Sequence, residues 1–114
     1  MTEARVPAHL EVSGLLRAVE AAGGFATVLA KGERDAGTIL VTCCEKGRNY
    51  RAYERMPRAD GTRGWALSKS EDPQNPLDFS EWLERRKRQD GDLWILELDI
   101  PDAERFIDST GTLN

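Results

Sequence analysis

The chain has 114 residues, of which 39% are apolar and 32% are charged, and its net charge at pH 7 is −4. This length suffices for one domain with its own core, so we expect a single domain over residues 1–114, with an ordered core at about 8–108 and short tails. The composition argues against disorder, and no apolar run is long enough to span a membrane.

Cysteine and histidine are scarce. The two cysteines are the adjacent pair Cys43 and Cys44, and the first residues carry acids without an apolar export segment, so we expect a cytoplasmic protein. Neighbouring strand residues project to opposite faces, so this pair cannot hold one ion together, and burial is expected for both. His9 is the single histidine. These counts argue against a structural zinc site and a histidine-based catalytic centre.

The first half of the chain predicts one helix and two strands. Residues 8–22 place apolar side chains at helical spacing, which predicts an amphipathic helix (Val12, Leu15, Leu16, Val19). Residues 25–31 are rich in apolar and β-branched side chains and are predicted to be a strand. A polar loop at 32–37 then forms the first hairpin. Residues 38–45 are apolar on both sides of the period-two pattern, which favours a central strand.

The second half adds two more strands, a helix and a last strand. Lys46 and Gly47 form a turn into a strand at 48–56, and a short strand follows at 65–68. The helix spans about 77–90, and the strand at 93–100 puts its large apolar side chains on one face (Trp94, Leu96, Leu98, Ile100). Residues 102–108 add a helical turn.

The element order is therefore α-β-β-β-β-α-β, which predicts an α+β fold. Short links between consecutive strands indicate an antiparallel β-meander, and the helices are expected on one face of it, as a two-layer sandwich. The fifth strand follows a helix, so it is expected to pair in parallel or at an edge.

Charge is unevenly distributed along the chain. Residues 46–69 contain seven Lys or Arg against two acids, and residues 90–108 contain seven acids against one Arg. Two interpretations remain open: internal pairing between neighbouring strands, or a surface of two signs that orients a partner.

Four consecutive cations, Arg85–Arg88, suggest nucleic-acid binding at first sight. On a helix their side chains fan around most of the circumference and cannot form one cationic face. Arg86 falls on the apolar stripe, where its stem can follow the edge of the core and its head can reach water. We therefore interpret the run as the solvated side of a helix.

A second basic row lies on the strand at 48–56. Alternation places Arg51, Tyr53 and Arg55 on one side of this strand. Such a row can stack on a ring and pair with an anion. The simpler alternative is a solvated sheet face.

Catalytic signatures are absent from the sequence, which contains neither a phosphate-binding loop motif nor a dinucleotide-binding motif. We assign no catalytic residue, no cofactor and no metal ligand. Asp35 in the first hairpin loop, together with Arg86, Asp92 and Trp94, is a candidate small-molecule site at one end of the sheet.

Three segments in this order resemble a known family: LLRAVEAAGGFATVLAKGERDAG, WLERRKRQDGDLWILELD and RFID. They are similar to a small uncharacterised alphaproteobacterial family, known only as a domain of unknown function. That family usually has glutamine where Arg86 stands, an apolar residue at Lys87 and proline at Gly91. The resemblance implies a bacterial cytosolic protein and no particular activity.

The leading hypothesis from sequence is a non-enzymatic protein-interaction module that offers a sheet edge or the row 51/53/55 to an unknown protein partner, with a homodimer as one form. The first alternative is an RNA-facing accessory protein that uses the same row with Arg58 and Trp65. The second alternative is a binder of small molecules at the loop site.

Overall fold

The computed structural model describes residues 6–57, 59–61 and 63–107. It has two helices, five strands and a short helical turn at 104–107: α1 Ala8–Ala21, β1 Phe25–Ala30, β2 Ile39–Glu45, β3 Arg48–Pro57, β4 Arg63–Ser70, α2 Pro76–Gln89 and β5 Trp94–Asp99. The predicted order of elements is confirmed, and β4 is longer than predicted. The expected tails and Asp108 lie outside the described residues. Neither described helix has the length and apolar character needed to cross a bilayer.

The sheet is mixed, with the strand order β1-β5-β2-β3-β4. Strands β2, β3 and β4 form the predicted antiparallel meander, whereas β5 is parallel to β2 and antiparallel to β1. The α+β class is confirmed, but the sheet is not purely antiparallel, because α2 carries the chain back across it before β5 enters. Since β5 lies between β1 and β2, the loop at 32–37 does not close a hairpin.

The two helices pack on opposite faces of the sheet, which gives three layers where two were expected. One core lies under α1 and includes Val12, Val41 and Leu96, and the other lies under α2 and includes Leu40 and Phe79. The reason lies in β2, which is apolar on both sides, and in the start of β5, where Trp94 and Ile95 are buried in different cores, so both faces need cover.

The entry into β1 is fixed by close packing at Gly24. A Cβ atom added there would lie 2.7 Å from Ile100 Cβ and 2.9 Å from Val19 Cγ1. Only glycine therefore lets the chain pass between the end of α1 and Ile100, and this passage sets where the edge strand begins.

Candidate functional site

The row Arg51, Tyr53 and Arg55 lies on the face of β3 that α1 covers. The structure joins the first two members to Glu104 in the turn at 104–107. Arg51 Nε donates to Glu104 Oε2 at 2.7 Å and Arg51 Nη2 to Oε1 at 2.8 Å, and the Tyr53 hydroxyl donates to Oε2 at 2.8 Å. A forked pair of this geometry is among the stronger polar contacts in proteins.

The pKa of Glu104 is shifted by its partners in this row. The hydrogen bonds from Arg51 lower the pKa of Glu104 from 4.5 to about 2, against the opposing effect of burial. Burial and the hydrogen bond to Glu104 raise the pKa of Tyr53 to about 12. At neutral pH Glu104 is therefore an anion held between a cation and a phenol.

Arg55 is paired in the same way, with Glu11 of α1. The guanidinium makes a forked contact with the Glu11 carboxylate, in which Nη1 lies 3.1 Å from Oε1. The guanidinium also lies 4.7 Å from the centroid of the Trp65 ring. Both charged side chains are largely buried, 13% and 18% exposed.

The basic row is therefore engaged with acids of the same chain. Of the two interpretations of the uneven charge, the structure supports internal pairing for Arg51 and Arg55. The acids come from α1 and from the turn at 104–107, however, and not from neighbouring strands. Arg58, which the RNA-facing alternative adds to the row, lies outside the described residues.

The four-cation run lies on α2 as predicted, and its members have different surroundings. Arg85, Lys87 and Arg88 are exposed, whereas Arg86 is half-buried and forms an ion pair with Glu54 of β3. Glu54 also accepts a hydrogen bond from Ser68 Oγ at 2.7 Å. The Arg86 side chain thus follows the core edge, as its position on the apolar stripe predicts, and its charge is used within the fold.

The loop at 32–37 is held by backbone contacts on several sides. Ala8 N, in the first turn of α1, donates to Asp35 O at 2.9 Å, and Trp94 Nε1 donates to Glu33 O at 2.7 Å. Glu33 N donates to Asp92 O at 3.0 Å. The loop therefore caps α1, which has no side-chain cap, and fixes the start of β5.

Three of the four residues of the predicted small-molecule site meet through this loop, and the fourth does not. Asp35, Asp92 and Trp94 each form a hydrogen bond with Glu33, whereas Arg86 pairs with Glu54 on the other face of the sheet. A shallow groove of about 320 Å³ lies nearby at the end of β1, but none of the four residues lines it. Their binding role stays a prediction.

A polar cluster that the sequence did not reveal lies on the α2 face. The Tyr50 side chain interacts with the side chains of Glu97 and Cys44. Burial is the main cause that raises the pKa of Cys44 to about 11, and the negative charge of Glu97 adds to it. Burial is also the main cause that raises the pKa of Glu97, and the negative charge of Asp99 adds to it. The Cys44 thiol is therefore protonated at neutral pH and is a poor nucleophile.

The cluster depends on β5 lying beside β2, which sets Glu97 opposite Thr42 and Asp99 opposite Cys44. Alternation along the sequence places Glu97 and Asp99 on the polar side of their strand, but no sequence signal specifies that neighbour. Both cysteines are buried, as predicted, and neither forms a disulfide. In the described ranges, no three or more His, Cys, Asp or Glu side chains come together as a metal site would require.

The β1 edge differs from the surfaces described above, whose charged side chains form ion pairs within the chain. We use this name for the six residues FATVLA of β1, which carry no charge and pair with β5 on one side only. Phe25 is 76% exposed, Leu29 42% and Val28 38%. Three of the eight large apolar side chains exposed in the described part of the chain thus lie within six consecutive residues.

The opposite edge of the sheet, β4, is protected by charge. It exposes Leu67 at 56% but also carries Arg63 and Lys69, and Lys69 forms an ion pair with Asp78 of α2. Charged side chains on an edge strand discourage pairing with another chain, and uncharged edges permit it. The sequence suggests a sheet edge as a binding surface but does not identify the edge strands, because strand order depends on contacts between distant segments.

Comparison with known proteins gives one family and several solved structures. A crystal structure and an NMR structure of a DUF1491 family protein from Caulobacter crescentus CB15 are each 30% identical to this chain, with TM-scores of 0.77 and 0.75. They cover 90% and 92% of this chain and 94% of their own. A solution structure of a protein from A. tumefaciens is 28% identical, has a TM-score of 0.70 and covers 91% of this chain and 93% of its own.

A search of curated proteins gives no match. The family model described as "Protein of unknown function (DUF1491)" matches residues 6–108. Caulobacter and Agrobacterium are both alphaproteobacteria, so the resemblance found in the sequence is confirmed. The chain belongs to the DUF1491 family.

Proposed function

We propose that this protein is a non-enzymatic, cytoplasmic interaction module that binds a protein partner through the β1 edge. The observation that carries the proposal is an edge strand of six uncharged residues that pairs with β5 on one side only and in which Phe25 is 76% exposed. The free side of an edge strand presents a row of backbone donors and acceptors, and a partner strand that adds to it gains main-chain hydrogen bonds and covers the apolar side chains.

The other surfaces support this choice because their polar groups are already used. For an anionic partner to engage the row 51/53/55, Arg51 would have to leave Glu104 and Arg55 would have to leave Glu11. Leaving a partly buried carboxylate without its cation is unfavourable. The RNA-facing alternative therefore has less support than the β1 edge.

The proposed cytoplasmic location is supported by the state of the two cysteines. Cys43 and Cys44 are both buried and neither forms a disulfide, which suits a reducing compartment. Protection of Cys44 by burial also argues that it serves packing and not redox chemistry.

The test is site-specific photo-cross-linking in bacterial cells. A photoreactive amino acid in place of Phe25 is expected to give a covalent adduct with a protein partner. The same amino acid in place of Leu67, on the charged edge, is the matched control and should give little or none. Adding Val28→Lys should abolish the adduct, because a charge on an edge strand opposes strand addition.

Two results would overturn the proposal. One is the absence of any adduct from position 25 in cells that contain the folded protein. The other is an adduct that persists at undiminished yield when Val28→Lys is present. Thermal unfolding of each purified variant shows that the fold is retained.

A further inference from the structure

We propose that the partner of the β1 edge is a second copy of the chain, whose own β1 pairs with it in antiparallel fashion about a two-fold axis at Thr27. This inference rests on the proposed function and specifies its partner. It is carried by the residue pattern of β1: when a second copy of the strand runs in the opposite direction with Thr27 opposite Thr27, apolar residues lie opposite apolar residues.

Pairing around Thr27 brings apolar side chains together. With Thr27 opposite its equivalent, Ala26 lies opposite Val28 of the second copy, and Phe25 lies opposite Leu29. The exposed apolar side chains of each copy therefore cover those of the other.

The faces of the two sheets also continue correctly across this axis. In β1, Ala26 and Val28 lie beside Leu98 and Leu96, on the α1 face, and Thr27 lies beside Glu97, on the α2 face. A two-fold axis normal to the sheet keeps each face with its equivalent, so α1 of both copies lies on one side of a ten-stranded sheet. Leu29 is skipped in the register between β1 and β5, because Val28 pairs with Leu96 and Ala30 with Ile95. Leu29 therefore has no directly opposite residue on β5.

Charge does not oppose pairing of β1 with itself, and symmetry favours that pairing over pairing with the other edge of the same protein. The β1 edge has no charged residue that would select a particular foreign sequence, and pairing it with itself sets no like charges directly opposite. Pairing β1 with β4 of another copy would be head-to-tail and would leave free edges at both ends. The symmetric pairing closes the assembly at two copies.

The interface is small, so the dimer is expected to be weak. A single six-residue strand with its neighbours buries less than the roughly 1,600 Å² of a standard protein–protein interface. We expect a dissociation constant of roughly 1–100 µM, so the assay must reach several hundred micromolar.

The sharpest test is a disulfide at the axis. Directly opposite residues of an antiparallel pair have Cα atoms about 4.5–5.5 Å apart, within reach of a disulfide. Thr27→Cys should therefore give a covalent dimer of two 12.8 kDa chains under mild oxidation. Leu67→Cys, on β4, is the matched control and should remain a monomer. Cys43 and Cys44 are buried and should not interfere.

Sedimentation of the unmodified protein completes the experiment. The wild-type chain should pass from monomer to dimer as its concentration rises, and Val28→Lys should weaken this association at least tenfold with an unchanged unfolding temperature. A chain that stays monomeric at several hundred micromolar overturns the inference. So does a dimer that Val28→Lys leaves intact, or equal cross-linking of Leu67→Cys.

The outcomes separate the two proposals. A monomeric protein that still cross-links from position 25 to a different protein in cells removes the self-association and leaves the interaction module standing. A monomeric protein with no adduct at all removes both.

Discussion

Replacing Glu104 with glutamine removes one charge and preserves the shape of the side chain, so it tests the contribution of the ion pair between Arg51 and Glu104. In the native protein Glu104 accepts two hydrogen bonds from Arg51 and one from Tyr53. Glutamine keeps an acceptor for Tyr53 but offers Arg51 no negative charge. The Glu104→Gln protein should therefore be less stable than the wild type at neutral pH.

The magnitude follows from the pKa of Glu104, which is about 2 in the folded protein against an ordinary 4.5. At about 1.4 kcal/mol for each pKa unit, this difference sets an upper limit of about 3 kcal/mol. The Glu104 side chain is 26% exposed, so water screens part of the interaction. We expect Glu104→Gln to lower the free energy of unfolding by about 1–2 kcal/mol at pH 7.

The pH dependence gives a second check with a definite sign. The pKa of Glu104 is lower in the folded chain than in the unfolded chain, so its stabilisation is fully present above pH 4.5 and is lost as the pH falls towards 2. The difference between wild type and Glu104→Gln should thus shrink to less than half of its neutral value by pH 3. Urea unfolding curves at pH 7, 5 and 3 measure it.

Glu20→Gln is the matched control, because Glu20 is an exposed acid of α1. It should change the free energy of unfolding by less than about 0.5 kcal/mol at any of these pH values. The double variant Arg51→Met with Glu104→Gln should be less destabilised than the sum of the single variants, since neither partner remains unpaired. Equal stability of Glu104→Gln and wild type at pH 7, or a difference that does not change with pH, would refute the role given to Glu104.

Three further predictions concern glycine and cysteine positions. Gly32→Ala should lower the free energy of unfolding by more than about 2 kcal/mol in urea titration, because its Cβ would lie 2.3 Å from the Asp92 carbonyl oxygen. A smaller loss would mean that the loop at 32–37 adapts easily. Gly14→Ala should raise the free energy of unfolding by about 0.5–1 kcal/mol in the same titration, since Gly14 lies within α1 and the added Cβ would have no atom within 4 Å apart from those of the adjacent residues and the helix backbone. Any destabilisation there would contradict the helix geometry. The pKa of Cys44 is raised to about 11, so its thiol should resist alkylation by iodoacetamide at pH 8 in the native protein and react after denaturation. Mass spectrometry locates the labelled residue. Rapid labelling of Cys44 in the native protein would contradict this prediction, because it would show an accessible thiolate.

The candidate surfaces show where sequence information stops. Alternation along β3 correctly placed Arg51, Tyr53 and Arg55 on one face, because side-chain direction in a strand is a local property. Their partners Glu11 and Glu104 are 44 and 53 residues away, so nothing in the local pattern specifies them. The row therefore resembles an open binding surface in the sequence and is an internal ion-pair network in the structure.

Local chemistry by itself determined the elements of this protein: the apolar stripe of α1, the apolar centre of β2, the alternation in β5 and the burial of Cys43 and Cys44. Backbone preference and hydrophobic period act within a few residues, so one sequence is enough to reveal them. Only the tertiary structure decided that β5 lies between β1 and β2, that the helices cover opposite faces, and that β1 forms an edge of the sheet. Strand order results from contacts between distant segments, and the same local patterns are compatible with several orders.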